Sequence, residues 1–150
     1  MGKLTLLLLF MTFSQGDAAA NGCPTGWSAF GLKCVKFFAT PLDWVSAEKH
    51  CQTFGGNLAS VHSKAENDLL LNMVNGTTRT WIGGHDAVKE GQWMWTDGSV
   101  FDYNNWCSGQ PNNYANNEIT LEINYGNHCW NDGNIDLPNY YAYICARSLF

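Results

Sequence analysis

Six cysteines, at positions 23, 34, 51, 107, 129 and 145, constrain this chain more than any other feature. An even number in a short exported chain points to disulfides, and so to a small domain with long loops. Export is read from the start of the chain. Lys3 precedes an apolar run from Leu4 to Phe13, followed by "SQGDAAANG". A basic start, a short apolar stretch and a small-residue exit predict a signal peptide over 1–20. Cleavage is expected between Gly16 and Ala20, with Ala18-x-Ala20 preferred. As a membrane anchor the run is about half of the ~20 residues a spanning helix needs. All six cysteines then fall in the mature part, 21–150, where their spacing alone leaves the pairing open.

A zinc reading of these cysteines is weak, because the chain has no C-x-x-C and no H-E-x-x-H. The chain has 150 residues, enough for one domain, and a formal charge of −5. Loss of Lys3 and Asp17 with the leader leaves that charge unchanged. An acidic chain without a Lys/Arg cluster is a poor partner for nucleic acid or an anionic membrane. Charged residues make up only 14%, against seven tryptophans, which predicts a ring-rich core and loops held by amides. The sequence offers no nucleophile beside a base and no paired acid and base, so no enzyme is expected.

Two stretches read as helices. "TPLDWVSAEKHCQTFGG" puts Trp44, Ala47, Cys51 and Phe54 on one face, with Glu48 and Lys49 elsewhere, and Gly55 and Gly56 as the stop. "SKAENDLLLNMVNG" opens with Ser63 and Glu66, a capping box, and buries Leu69, Leu70, Met73 and Val74 before Gly76 closes it. "NLASV", "RTWIGG", "QWMWT", "EITLEIN" and "YAYICA" read as strands. Between them, from about 97 to 117, runs a long stretch of Asp, Asn, Gly, Ser and Tyr. That is loop chemistry, and Phe101, Tyr103 and Trp106 argue that the loop is ordered. Helices early and strands late make an α+β domain. Asn75-Gly76-Thr77 matches the N-glycosylation acceptor pattern.

The motifs also stand in a particular order. "CPTGWSAFGLKC", "HCQTFGGNLASVHSKAEN", "WIGG", "GQWMWTDGS", "NNWCSGQPNN", "NEITLEIN", "CWND" and "YICA" follow one another. From residue 23 to the end this order resembles the C-type lectin fold. "WCSGQP" with "CWND" is similar to small secreted fish lectins and to the type II antifreeze proteins built on the same domain. The resemblance implies two helices, two small antiparallel sheets and a long structured loop, stapled by Cys23–Cys34, Cys51–Cys145 and Cys107–Cys129. The first bridge would close an N-terminal hairpin. A further bridge common in the family is missing here, since Thr120 stands at its first position.

The resemblance also implies a calcium site. It would draw on Gln110 and Asn112 around a cis Pro111, on Glu118, and on Asn131 and Asp132. All five carry a side-chain oxygen, which suits calcium's six to eight oxygen ligands. In the family a sugar completes the coordination with two hydroxyls. E-P-N goes with mannose-type sugars and Q-P-D with galactose-type sugars. This chain has Q-P-N, with two carboxylates, Glu118 and Asp132, where either usual form has three. Weaker calcium binding and altered sugar binding are expected, with the sugar type left open.

The function implied is a secreted, calcium-dependent lectin for microbial or cell-surface glycans, acting in innate defence. With the cysteines used internally, any homo-oligomer is expected to be non-covalent. The alternatives are an ice-binding protein on the same scaffold, with Thr96 and Thr120 near the site, or a protein-binding domain without calcium. Taken alone, Asn131-Asp132-Gly133 also reads as a plain turn. Trp81, Trp93, Trp95, Trp106 and Trp130 read mostly as core. His128 reads as a surface residue beside the site. Asp86, Glu90, Asp97 and Asp102 are acids from which no second cation site is assigned.

Overall fold

The computed structural model describes residues 22–136 and 139–150. The expected signal peptide lies outside them. Among the described residues eight strands and two α-helices are formed: β1 Ser28–Phe30, β2 Lys33–Leu42, α1 Trp44–Thr53, β3 Asn57–Leu58, α2 Lys64–Met73, β4 Thr80–His85, β5 Met94–Trp95, β6 Glu118–Tyr125, β7 Cys129–Asn134 and β8 Tyr141–Ser148. The strand order is β1-β2-β8-β4-β6-β7, with β3 beside β8 and β5 beside β4. The two antiparallel parts meet where β4 runs parallel to β8, Thr80 opposite Ala142 and Trp81 opposite Tyr143. They are thus joined into one mixed sheet.

Local chemistry sets the helix ends. Asp43 caps α1, its carboxylate accepting the Ser46 N–H at 2.9 Å and the Ser46 hydroxyl at 2.7 Å. Ser63 caps α2 by accepting the Glu66 N–H at 3.1 Å. The expected return bond is displaced by one residue. Glu66 accepts from His62 N–H at 2.8 Å, and its other oxygen pairs with Lys33 at 3.0 Å. The α2 stripe is likewise narrower than expected: Leu70 and Val74 are buried, while Leu69 and Met73 are only partly so.

Glu48 is a correction. It is not on the outer face of α1 but 8% exposed. Its carboxylate accepts from Leu58 N–H (2.8 Å), Asn57 Nδ2 (2.6 Å), Gln52 Nε2 (3.1 Å) and the Thr96 hydroxyl (3.1 Å). The helix period placed Glu48 beside Ala47 and Cys51. Polarity alone suggested solvent, and backbone donors at β3 decided otherwise.

The core has two clusters. Ile82, Leu121, Ile123, Trp95, Trp130 and Ile144 form one under α2, with Phe101, Tyr103 and Trp106 of the long loop packed against it. Trp27, Ala47, Leu58, Trp81 and Tyr143 form the other under α1. Trp93 and Trp106 are partly buried, so the tryptophans are core as expected. Bridges Cys23–Cys34, Cys51–Cys145 and Cys107–Cys129 are all formed. β1 and β2 pair as the implied hairpin.

β7 is a second correction. Asn131, Asp132 and Gly133 are not a turn; they lie in a strand paired with β6, Gly133 opposite Thr120. A side chain at Gly133 would meet the Trp81 ring at 2.8 Å, so only glycine fits that approach.

Candidate functional site

The end of the sheet where β6 and β7 pair carries the long loop. Cys107 N–H donates to the Trp130 carbonyl at 2.9 Å, and Trp130 N–H to the Asn105 carbonyl at 2.8 Å. With the Cys107–Cys129 bridge, these bonds fasten the loop to β7. Gln110 N–H returns to the Cys107 carbonyl at 2.9 Å, and the Gln110–Pro111 peptide is cis. Past the proline, the Asp132 carboxylate accepts Asn112 N–H at 3.1 Å and Asn113 N–H at 2.7 Å. A short 3-10 turn, Tyr114–Asn116, then leads into β6. No helix had been expected after Gly76, and a single turn is too short to show as a periodic pattern.

This arrangement brings four of the five expected residues to one open pocket of about 280 Å³. Gln110, Asn112, Glu118 and Asn131 line it, with Arg79, Tyr114 and Tyr125. Asp132 does not. It is 1% exposed and sits behind the loop, its oxygens held by the two N–H groups. Asn112 Oδ1 and Glu118 Oε2 both accept Tyr114 N–H, at 3.2 and 3.0 Å. Burial first, and then the charges of Asp132 and Glu122, push the Glu118 carboxyl up, although the Tyr114 N–H opposes this.

A calcium ion fits this donor set. Gln110 Oε1 is buried and has no hydrogen-bond partner. Asn131 spends its amide nitrogen elsewhere, on Glu122 Oε1 at 2.7 Å and the Asp132 carbonyl at 2.5 Å. Oxygen-only ligands and surplus negative charge suit a hard divalent cation. Among the described residues no group of three or more His, Cys, Asp or Glu is placed to hold a metal. The physical reason is that this set has two carboxylates and three amides.

The other expected residues separate. Asp86 and Glu90 stand together. Lost hydration and the Asp86 charge push Glu90 up, and Asp86 Oδ1 is buried without a partner. Asp97 and Asp102 lie elsewhere, around His62. His128 bonds Asn124 Oδ1 at 2.8 Å and lines a different hollow with Asp68, Leu71 and Asn72. Thr120 is fully buried and donates to the Gly133 carbonyl, and Thr96 donates to Glu48. Neither hydroxyl is offered to the surface, because each completes an internal bond.

Two features were illegible in the sequence. Arg79 and Glu122 stand 43 residues apart, and only the pairing of β4 with β6 brings them together. His62 lies between Asp102, at 2.7 Å from Nδ1, and the hydroxyls of Ser60 and Ser99, at 3.2 and 3.0 Å from Nε2. This has the outline of a nucleophilic triad. Both hydroxyls, however, donate their protons to Asp97, and Lys33 donates to Ser60. Neither serine has a proton to give His62, so the cluster braces the segment before α2 against the loop.

Fold and pocket together define a small, disulfide-pinned binding domain of the lectin type. The family model "Lectin C-type domain" matches residues 40–147, and the chain belongs to that family. It is a carbohydrate-binding, non-enzymatic family. The expected likeness to fish lectins and type II antifreeze proteins holds. The chain is 39% identical over 135 residues to the galactose-specific lectin nattectin of Thalassophryne nattereri, covering 87% of this chain and 84% of that one. It is 48% identical over 119 residues to ladderlectin of Oncorhynchus mykiss, covering 76% of this chain and 63% of that one. A herring type II antifreeze protein structure matches with a TM-score of 0.80 at 34% identity, covering 85% of this chain and all of that one.

Proposed function

We propose that this chain, with residues 1–20 removed as a signal peptide, is a secreted calcium-dependent lectin. Gln110, Asn112, Glu118 and Asn131 hold the ion from the pocket they line, Asp132 adds its charge from behind the loop that its oxygens hold, and a sugar hydroxyl pair binds over the ion. The observation that carries this reading is the buried, unpartnered Gln110 Oε1 in a pocket shared with Asn112, Glu118 and Asn131. Calcium supplies the charge that fixes the hydroxyls. The protein's side chains supply orientation: Glu118 accepts a hydrogen bond from a sugar hydroxyl, Gln110 and Asn112 offer amides, and Asn131, its nitrogen already spent, offers its oxygen to the ion. With two carboxylates in the set, calcium binds weakly and the sugar preference departs from both usual forms. The ligands are microbial or cell-surface glycans, which gives the protein its role in innate defence. One shallow site binds weakly, so avidity comes from a non-covalent oligomer. Asn75 is exposed on the turn after α2 and carries an N-glycan. A glycan array run with calcium and again with chelator tests the reading, and chelator-sensitive binding is expected.

The likeness to the herring antifreeze structure supports a second reading, ice binding through the same loop. Thermal hysteresis measured with and without chelator separates the two. The buried Thr120 and the internally bonded Thr96 give it little surface to use.

A further inference from the structure

The geometry points to Glu122 and Arg79 as positioning residues that set which end of the Asn131 amide meets the ion, an inference that rests on the cation reading above. Glu122 is fully buried in β6, and Arg79 grips it through Nε at 2.8 Å and through Nη2. The Tyr125 and Tyr141 rings flank the guanidinium, with centroids 5.0 and 4.7 Å from its carbon. A guanidinium fork on a carboxylate is rigid in a way that a single hydrogen bond is not.

The fixed carboxylate then takes one hydrogen of Asn131 Nδ2, and the Asp132 carbonyl takes the other. Both neighbours are pure acceptors, so the nitrogen end of the amide must face them. A reversed amide would set Oδ1 against two oxygens. Oδ1 is therefore the end left for the pocket that Asn131 lines. An amide oxygen there is a calcium ligand, and an amide nitrogen is not. Arg79 balances the buried charge of Glu122, which would otherwise be costly.

Removing the acceptor tests this. Oε1 of Glu122 serves both Arg79 Nη2 and Asn131 Nδ2, and Oε2 serves Arg79 Nε. In Glu122→Leu the Asn131 amide loses the acceptor that holds it, and calcium affinity by titration calorimetry falls about tenfold or more, as for other groups that orient a ligand. In Glu122→Gln the side-chain oxygen takes the Oε1 place and still accepts from Asn131, so affinity stays within about threefold of the parent's although the ion pair with Arg79 is broken and the fold is less stable. Asn131→Asp alone sets two carboxylates face to face and weakens binding despite the added charge. A residue that merely supports the fold predicts that stability and affinity fall together. Parent-like binding by Glu122→Leu, a tenfold loss in Glu122→Gln, or tighter binding by Asn131→Asp alone, overturns the inference.

A second readout needs no calcium. In chelator, the Asn131 side-chain amide of the parent gives two well-separated, slowly exchanging proton resonances; Glu122→Gln keeps them and Glu122→Leu loses them. If the parent gives no heat with calcium, the cation reading fails by itself and these resonances decide the positioning role. An averaged Asn131 amide in the parent then overturns it. If Glu122→Leu does not fold, Asn131→Asp alone and the parent resonances decide.

Discussion

The Asp132 carboxylate accepts Asn113 N–H at 2.7 Å, and so a buried strand residue holds the loop beyond the cis proline. The same oxygens accept Asn112 N–H. Asp132 thus shapes the site as well as charging it. Asp132→Asn would replace one acceptor with a donor facing a backbone N–H. It is expected to lose calcium binding and to loosen the loop, read as faster amide exchange at Asn112 and Asn113.

Asn112 is the position where charge can be added at least structural cost. It is exposed, and its Oδ1 accepts Tyr114 N–H, which a carboxylate accepts equally well. Asn112→Asp is expected to tighten calcium about tenfold by supplying a third carboxylate. It also turns the sugar preference toward galactose, read by inhibition with free sugars.

Glu48 supports the fold rather than the site. Its carboxylate satisfies four donors from α1, β3 and the turn after β5. Glu48→Ala leaves buried donors unmet and is expected to cost about 3 kcal/mol in denaturant unfolding. Lys49→Ala, on the exposed side of the same helix, stays within about 0.5 kcal/mol.

Two groups lose their stabilising contribution in acid, each in its own window. Burial holds His85 below its ordinary value of 6.5, outweighing the Asp86 and Glu48 charges. Its folded state favours the neutral ring, so stability is full above 6.5 and is lost as pH drops below it, where the unfolded chain takes the proton first. Asp43 is held below 3.8, chiefly by Ser46 N–H. Its contribution is full above 3.8 and is lost only under stronger acid. His85→Gln is expected to flatten the Tm profile between about pH 7 and 5 in chelator, leaving the lower window unchanged.

Replacing Cys107 and Cys129 with serines opens a loop of 22 residues in sequence separation. About 3 kcal/mol of stability is expected to go in the chain-entropy model. Calcium affinity falls as well, because Gln110 N–H hangs from the Cys107 carbonyl.

The motif order made the fold legible, since glycines, cysteines and W-N-D carry their roles locally, and it singled out four residues that the structure gathers at one pocket, Gln110, Asn112, Glu118 and Asn131. β7 was not legible. Asn131, Asp132 and Gly133 have turn chemistry, and only pairing with β6 makes them a strand. β2 mixes Lys, Phe, Thr and Pro without alternation, so its place came from resemblance rather than periodicity. Glu48, Glu122 and Arg79 look like solvated charges until strands far apart in sequence bring their partners. A buried ion pair leaves no local pattern to read.

The most direct measurement is titration calorimetry of calcium into pure, oxidised protein, with Glu118→Gln alongside. The account predicts saturable heat for one ion in the parent and its loss in the variant. No heat in the parent at millimolar calcium, or equal heat in both, would contradict it.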